Sequence, residues 1–324
     1  MVKIALMGVG GWGENHAKKL AQLRAEELIE DFIAIDIDSR RAKYISKLYG
    51  CKAYTTLDEA LRKEELDGII IATPTPLHYQ HTKEALENGL HVLVEKPITA
   101  RSSEALELVE LAKRSKRILM TGFLLRYSPV VQYVREKLKE NLEYFGSILM
   151  VSTRRVNPWR IREHDVGVIR DLVIHDVDLV SYIFDAKPMR VYAHMKNRGF
   201  KFELFAAGFV EYNSRWEGLI LAFEASWIAP QKFRRWIISG TEREAKLDLV
   251  NHTIEIYTRK ETIYPIIPVG PDPLYRQDRN FVEAIKKKNK PLVTGFDGYI
   301  ALKTCEALLE SAEKGKIIEI YWDE

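Results

Sequence analysis

Over the first 120 residues, short unbroken apolar runs alternate with longer stretches of helical period. The runs are Val2 to Met7, Phe32 to Ile35, Gly68 to Ala72, His91 to Val94 and Ile118 to Met120. Between them, Asn15 to Glu30 carries Ala17, Leu20, Leu23 and Leu28 near the helix period, and Arg40 to Leu48, His78 to Asn88 and Ser103 to Ser115 read the same way. Gly50 and Gly89 stand where helices stop, and Thr56-Leu57-Asp58-Glu59 is a capping box that opens a short helix. Strands without polar alternation are covered on both faces. The pattern therefore predicts a parallel sheet with crossover helices, an α/β doubly wound Rossmann domain over residues 1–121.

Beyond about residue 145 the pattern changes. Ile148 to Val156, Arg190 to Met195, Glu203 to Tyr212, Gly218 to Trp227, Phe233 to Ser239, Ala245 to Leu249 and Thr253 to Tyr257 read as strands with short connections. They predict an α+β domain over 122–324 with a large, mainly antiparallel open sheet. Several strands are apolar at both alternating positions, as in Leu219 to Phe223. Such a sheet packs one face on helices and the other on a second subunit, as a homodimer or homotetramer, or is buried within one subunit.

Composition adds exclusions. Of 324 residues 46% are hydrophobic and 29% charged, ordinary for a soluble globular chain. A net charge of +3 produces no field that demands nucleic acid or an anionic membrane. Cys51 and Cys305 are too few for a disulfide framework or a cysteine metal site. No apolar run approaches the ~18 residues of a membrane span, and Met1 leads directly into the first strand, so a cytoplasmic protein is expected.

Gly8-Val9-Gly10-Gly11-Trp12-Gly13 matches G-x-G-x-x-G between a strand and a helix, the context that makes this pattern a dinucleotide site. Gly8 permits the turn, Gly10 lets backbone approach a pyrophosphate, and Gly13 lets helix and strand pack closely. Asp36 ends the second strand, where a carboxylate accepts ribose hydroxyls and repels a 2′-phosphate. NAD is favoured, while Arg40 and Arg41 keep NADP open. Two further strand ends carry polar loops, Thr73-Pro74 leading to His78, and Glu95-Lys96-Pro97. In such sheets ligands sit beyond these ends, so Lys96 is either an ammonium at the nicotinamide end or an ordinary surface lysine.

A second constellation spans Val166 to Phe184. Asp171, His175, Asp178 and Tyr182 share one face of an otherwise apolar helix. A histidine bracketed by carboxylates suits a general base, its tautomer held by its neighbour. A metal reading of His175 with Asp171 and Asp178 lacks a second histidine at ligand spacing, and no metal is expected.

The ordered set of Gly8 to Gly13, Ala72-Thr73-Pro74 with His78, Glu95-Lys96-Pro97, Gly122 with Arg126-Tyr127, and Asp171 with His175 resembles the Gfo/Idh/MocA oxidoreductases. The stretch Pro273-Leu274, Phe281, Pro291, Gly298, Ala301-Leu302 and Ala307 fits as well. The resemblance implies that Lys96 contacts cofactor and reacting hydroxyl, with the bond before Pro97 often cis. It implies that His175 is the general base, that Asp171 orients it or binds substrate, and that Arg126 and Tyr127 sit near nicotinamide and sugar. Asn157-Pro158-Trp159 and Asp165 to Asp171 resemble the members that oxidise the 3-hydroxyl of UDP-N-acetylglucosamine or its uronic acid. Arg154, Arg155, Arg160 and Arg162 would then suit a diphosphate, while Gln277 departs from that subgroup's usual Glu. Two rival readings are a dehydrogenase of a free polyol or sugar, such as inositol, and a non-catalytic NAD(P)-binding sensor.

Overall fold

β1 (Lys3–Met7) and β4 (Gly68–Ile71) lie side by side at the middle of a parallel sheet whose burial is almost complete. Around them run α1 (Gly11–Ala25), β2 (Asp31–Ile35), α2 (Ser39–Tyr49), β3 (Lys52–Tyr54), α3 (Leu57–Leu61), α4 (Thr75–Glu87), β5 (His91–Val94), α5 (Ser102–Ser115) and β6 (Leu119–Thr121). The strand order is β3-β2-β1-β4-β5-β6 with every pairing parallel. The order reverses between β1 and β4, the switch point where doubly wound sheets bind ligands. The computed structural model describes residues 1–158, 165–268 and 270–322.

A second sheet has nine strands among the described residues. The 3₁₀ turn Leu124–Tyr127 leads into α6 (Pro129–Glu140) and β7 (Ile148–Pro158). A π-helical turn, Ile169–Val173, then runs into α7 (Ile174–Phe184). β8 (Lys187–Lys196), β9 (Phe205–Asn213), β10 (Ile220–Ala229), β11 (Phe233–Gly240), β12 (Glu244–Asp248), β13 (Thr253–Tyr257) and β14 (Thr262–Ile263) follow. With β15 (Ile318–Glu319) the order is β14-β13-β12-β11-β7-β10-β9-β8-β15. Every pairing is antiparallel except β7 with β10, the consequence of inserting β7 between strands far later in the chain.

One face of this sheet is sealed by Val151, Val191, Val210, Leu221, Ala225 and Trp236. The opposite face carries Arg154, Tyr192, Phe209 and Ile237, exposed or half-exposed. α7 is fastened to the sealed side by charge. The Asp176 carboxylate, on α7, accepts from the Arg155 guanidinium, from Trp236 Nε1 at 2.9 Å and from Thr153 Oγ1 at 3.3 Å. Two residues on, Asp178 accepts from Arg126 Nη2 at 2.7 Å, both side chains almost fully buried.

Between β14 and β15 come α8 (Pro273–Lys287) and α9 (Gly295–Lys314). Residues 271–299 belong with Met1–Leu124 in a first compact unit, and Leu125–Gly270 with Ile300–Glu324 form a second. The division expected from the sequence was 1–121 and 122–324. The amphipathic α8 buries Leu274, Phe281, Val282 and Ile285, and the side chains of Phe281 and Ile285 come so close to Gly68 of β4 that a Cβ there would lie 3.2 and 3.0 Å away. Linear order hides that return.

Removing one partner of a sealed ion pair leaves a naked charge, a loss of about 3–5 kcal/mol. Asp176→Ala is expected to destabilise the protein on that scale, while Arg154→Ala, on the exposed face, shifts the urea midpoint little; matching midpoints for the two would refute the tether.

Candidate active site

In the first unit the glycine turn divides into two kinds of glycine. Gly8 has φ +84° and a Cβ there would lie 2.8 Å from the Ala72 backbone, while one at Gly13 would lie 1.8 Å from Gly8 O. Those two are demanded by the protein itself. Gly11 has open space at its Cβ position, and Gly10 meets only an arginine terminus at 4.0 Å. Gly10 also precedes the free N–H groups of α1, where a phosphate is favoured by the helix dipole. An open cleft of ≈ 500 Å³ lies here, lined by Gly10, Gly11, Glu14, Asp38, Arg40 and Arg41 among others. A dinucleotide fits these features.

Asp36 braces the turn. Its Oδ2 accepts from Val9 N and its Oδ1 from Asp38 N, both at 2.9 Å. Among the carboxylates lining the cleft, with Glu14, is Asp38, which sequence reasoning missed. It caps α2 and is held below its usual pKa by hydrogen bonds from the Arg40 side chain and backbone. Its offset of two residues from Asp36 was the available signal.

The polar loops at the strand ends are locked to each other. His78 is buried, with Nδ1 2.7 Å from Pro97 O and Nε2 2.7 Å from Thr73 O, so it clamps the Thr73-Pro74 loop to the Lys96-Pro97 loop. The Lys96–Pro97 bond is cis. Behind Lys96, Glu95 is sealed against Gly122, where a Cβ would lie 2.5 Å from its carboxylate. His16, which sequence reasoning also missed, is fully buried, with Nε2 3.2 Å from Glu95 and Nδ1 2.9 Å from Asp278 of α8. Burial opposes the imidazolium, but attraction and hydrogen bonds from Asp278 and Glu95 outweigh it and raise its pKa to about 10. Burial would raise Glu95, yet His16 and Trp12 hold it below its usual value, while burial pushes Asp278 up. Trp12 itself is half-exposed, its ring edge-on to His16.

In the second unit the polar stripe separates. Asp178 is engaged by Arg126, and the Tyr182 hydroxyl is 3.0 Å from Gln132 Nε2. The Arg126 guanidinium, expected beside the cofactor, is sealed in that ion pair over the Tyr182 ring, and Tyr127 is buried. Asp171 and His175 remain half-buried. Asp171 lies in the π turn, accepting from Trp227 Nε1 at 3.2 Å, and His175 lies in the first turn of α7. The turn is fixed from outside. Glu203 accepts from Ile169 N at 3.0 Å and fills the place a side chain at Gly167 would take. π turns of this kind often mark functional positions. Asn157 is half-buried near the end of β7, Arg155 is committed to Asp176, and Arg154 pairs with Glu224 on the other face. Trp159, Arg160 and Arg162 lie outside the described residues. Among the described residues no group of three or more His, Cys, Asp or Glu could hold a metal ion, and no helix is long and apolar enough to cross a membrane.

Fold and site together define a dinucleotide-binding oxidoreductase. Residues 2–123 match the oxidoreductase family with an NAD-binding Rossmann fold, and residues 142–246 match the GFO/IDH/MocA C-terminal domain, so the chain belongs to the Gfo/Idh/MocA family. It is 30% identical over 267 residues to UDP-N-acetylglucosamine 3-dehydrogenase of Acidithiobacillus ferrooxidans, covering 82% of this chain and 80% of that protein. A solved structure of that enzyme superposes with a TM-score of 0.87, at 27% identity over 97% of this chain and 98% of the other. Inositol 2-dehydrogenase of Corynebacterium glutamicum is 26% identical, covering 98% and 95%. The chain is thus an NAD-dependent oxidoreductase acting on CH–OH groups, a sugar or polyol dehydrogenase.

The raised pKa of His16 sets a pH window. Its stabilisation is fully present below pH 6.5, the unfolded value, and is lost as pH rises toward about 10. The stability gap between the natural protein and His16→Asn, measured by urea unfolding, is expected to be widest below pH 6.5 and to narrow steadily to pH 10. A gap that stays constant across that range would refute a charged His16.

Proposed function

We propose that the substrate is a nucleotide sugar, oxidised at the 3-hydroxyl of UDP-N-acetylglucosamine or its uronic acid. The observation that carries this reading is the similarity to UDP-N-acetylglucosamine 3-dehydrogenase over four-fifths of both chains, with Lys96, Asp171 and His175 all present. Bound NAD supplies the hydride acceptor. Gly10, Gly11 and the N-terminus of α1 hold its pyrophosphate, and Asp36 and Asp38 its ribose; Thr73, Pro74, His78 and Glu95 shape the loops around it.

His175 takes the proton of the reacting hydroxyl, with Asp171 and Trp227 setting its surroundings. Lys96 supplies positive charge for the developing alkoxide. Removing a general base costs about 10²- to 10⁴-fold in rate.

A second reading, oxidation of a free polyol, is favoured by the near full-length match to inositol 2-dehydrogenase. Competition by UDP separates the two, since a free-polyol site has no use for it. The half-exposed row Ile237, Phe209 and Tyr192 on the open sheet face suits contact with a second copy of the chain, and a cytoplasmic homo-oligomer is our reading.

With NAD, UDP-N-acetylglucosamine and a carbonyl trap, we expect NADH formation that falls by about 10²-fold or more in His175→Ala and in Lys96→Ala. Unchanged turnover in both variants would overturn the assigned roles. Absence of turnover in the natural protein, with NAD still bound, would transfer the assignment to a free polyol, or to a sensor if polyols also fail.

A further inference from the structure

Arg234 of β11 stands directly opposite Arg155 of β7 in the antiparallel ladder. Opposed residues project from the same face, so both side chains rise toward the π turn and α7. There their environments diverge. Arg155 is met by Asp176. The Nε of Arg234 is closed to solvent and has no hydrogen-bond partner among the described residues, although the residue as a whole is only half-buried.

Among the described residues, the carboxylates that act on Arg234 are Asp171 and Asp176. Both are already engaged, Asp176 by Arg155, Trp236 and Thr153, and Asp171 by Trp227. Burial, then repulsion from Arg155, push the Arg234 guanidinium down to about 10, still cationic at neutral pH. A cation held this way is costly without an anion, and a guanidinium fork matches carboxylate or phosphate oxygens two at a time.

We propose that Arg234 is a specificity-determining residue of the second unit that binds an oxyanion, phosphate or carboxylate, carried by the sugar that Asp171 and His175 serve. The inference rests on reading Asp171 and His175 as the sugar site. It narrows the substrate class to anionic sugars and disfavours neutral polyols.

The test is calorimetric titration of the NAD-loaded protein with UDP, with glucuronate and with glucose, for the natural chain, Arg234→Gln and Arg234→Lys. Loss of a charge-assisted bidentate contact is expected to weaken the anionic ligand about 10- to 100-fold in Arg234→Gln. Arg234→Lys should recover part of that loss, and the weak binding of glucose should not change. Dependence seen with UDP assigns the phosphate, and dependence seen only with glucuronate assigns the carboxylate. A purely structural role would lower the melting temperature and weaken all three ligands together, which would overturn the proposal. So would Arg234→Gln that binds UDP and glucuronate as the natural chain does. Arg234-dependent UDP binding in a protein that oxidises no sugar would keep the oxyanion site and sink the dehydrogenase substrate; turnover of a neutral polyol with no Arg234-dependent anion binding would do the reverse.

Discussion

A charge shut away from water must be met by an opposite charge, because desolvation alone costs several kcal/mol per ion. Among the described residues three sealed clusters obey this rule, and each joins an element that no sheet hydrogen bond holds. Arg155 with Asp176 ties α7 to the nine-stranded sheet, and Arg126 with Asp178 ties the same helix to the 3₁₀ turn. In the first unit, His16 between Glu95 and Asp278 joins α1, the strand end beside Lys96 and the returning helix α8. The residues assigned to chemistry, Lys96 and His175, are each one to three positions from a member of these clusters. Their backbones are positioned by charges that do no chemistry themselves.

The same rule explains why the polar stripe of α7 had two meanings in one sequence pattern. Asp171, His175, Asp178 and Tyr182 are spaced alike, but neighbours from other elements sort them. Arg126 and Gln132 claim Asp178 and Tyr182, and the π turn sets Asp171 apart in geometry from the regular helix that follows. The rule also makes Arg234 conspicuous, a cation beside a fully matched one, its own Nε without a partner among the described residues.

The glycine motif, the unbroken β-strand runs and the Glu95-Lys96-Pro97 loop were legible because their physics is local. A turn that needs positive φ, or a strand covered on both faces, leaves its mark within a few residues. Most strands of the second sheet were legible for the same reason. α6, α8 and α9 were not read as helices, β3, β14 and β15 are too short to leave a pattern, and the parallel pairing of β7 with β10 has no local signature.

By itself, then, the sequence determined the doubly wound first unit, its cofactor turn and the residue types available for proton transfer, since backbone geometry and periodicity are written within single elements. Only the tertiary structure decided that residues 271–299 return to the first unit, that His16 joins Glu95 to Asp278, that Glu14 and Asp38 line the cleft, and that Arg126 is sealed against Asp178. These depend on which charges and apolar faces meet across 52 to 262 residues of chain, and a charged side chain takes its role from whichever partner shares its burial.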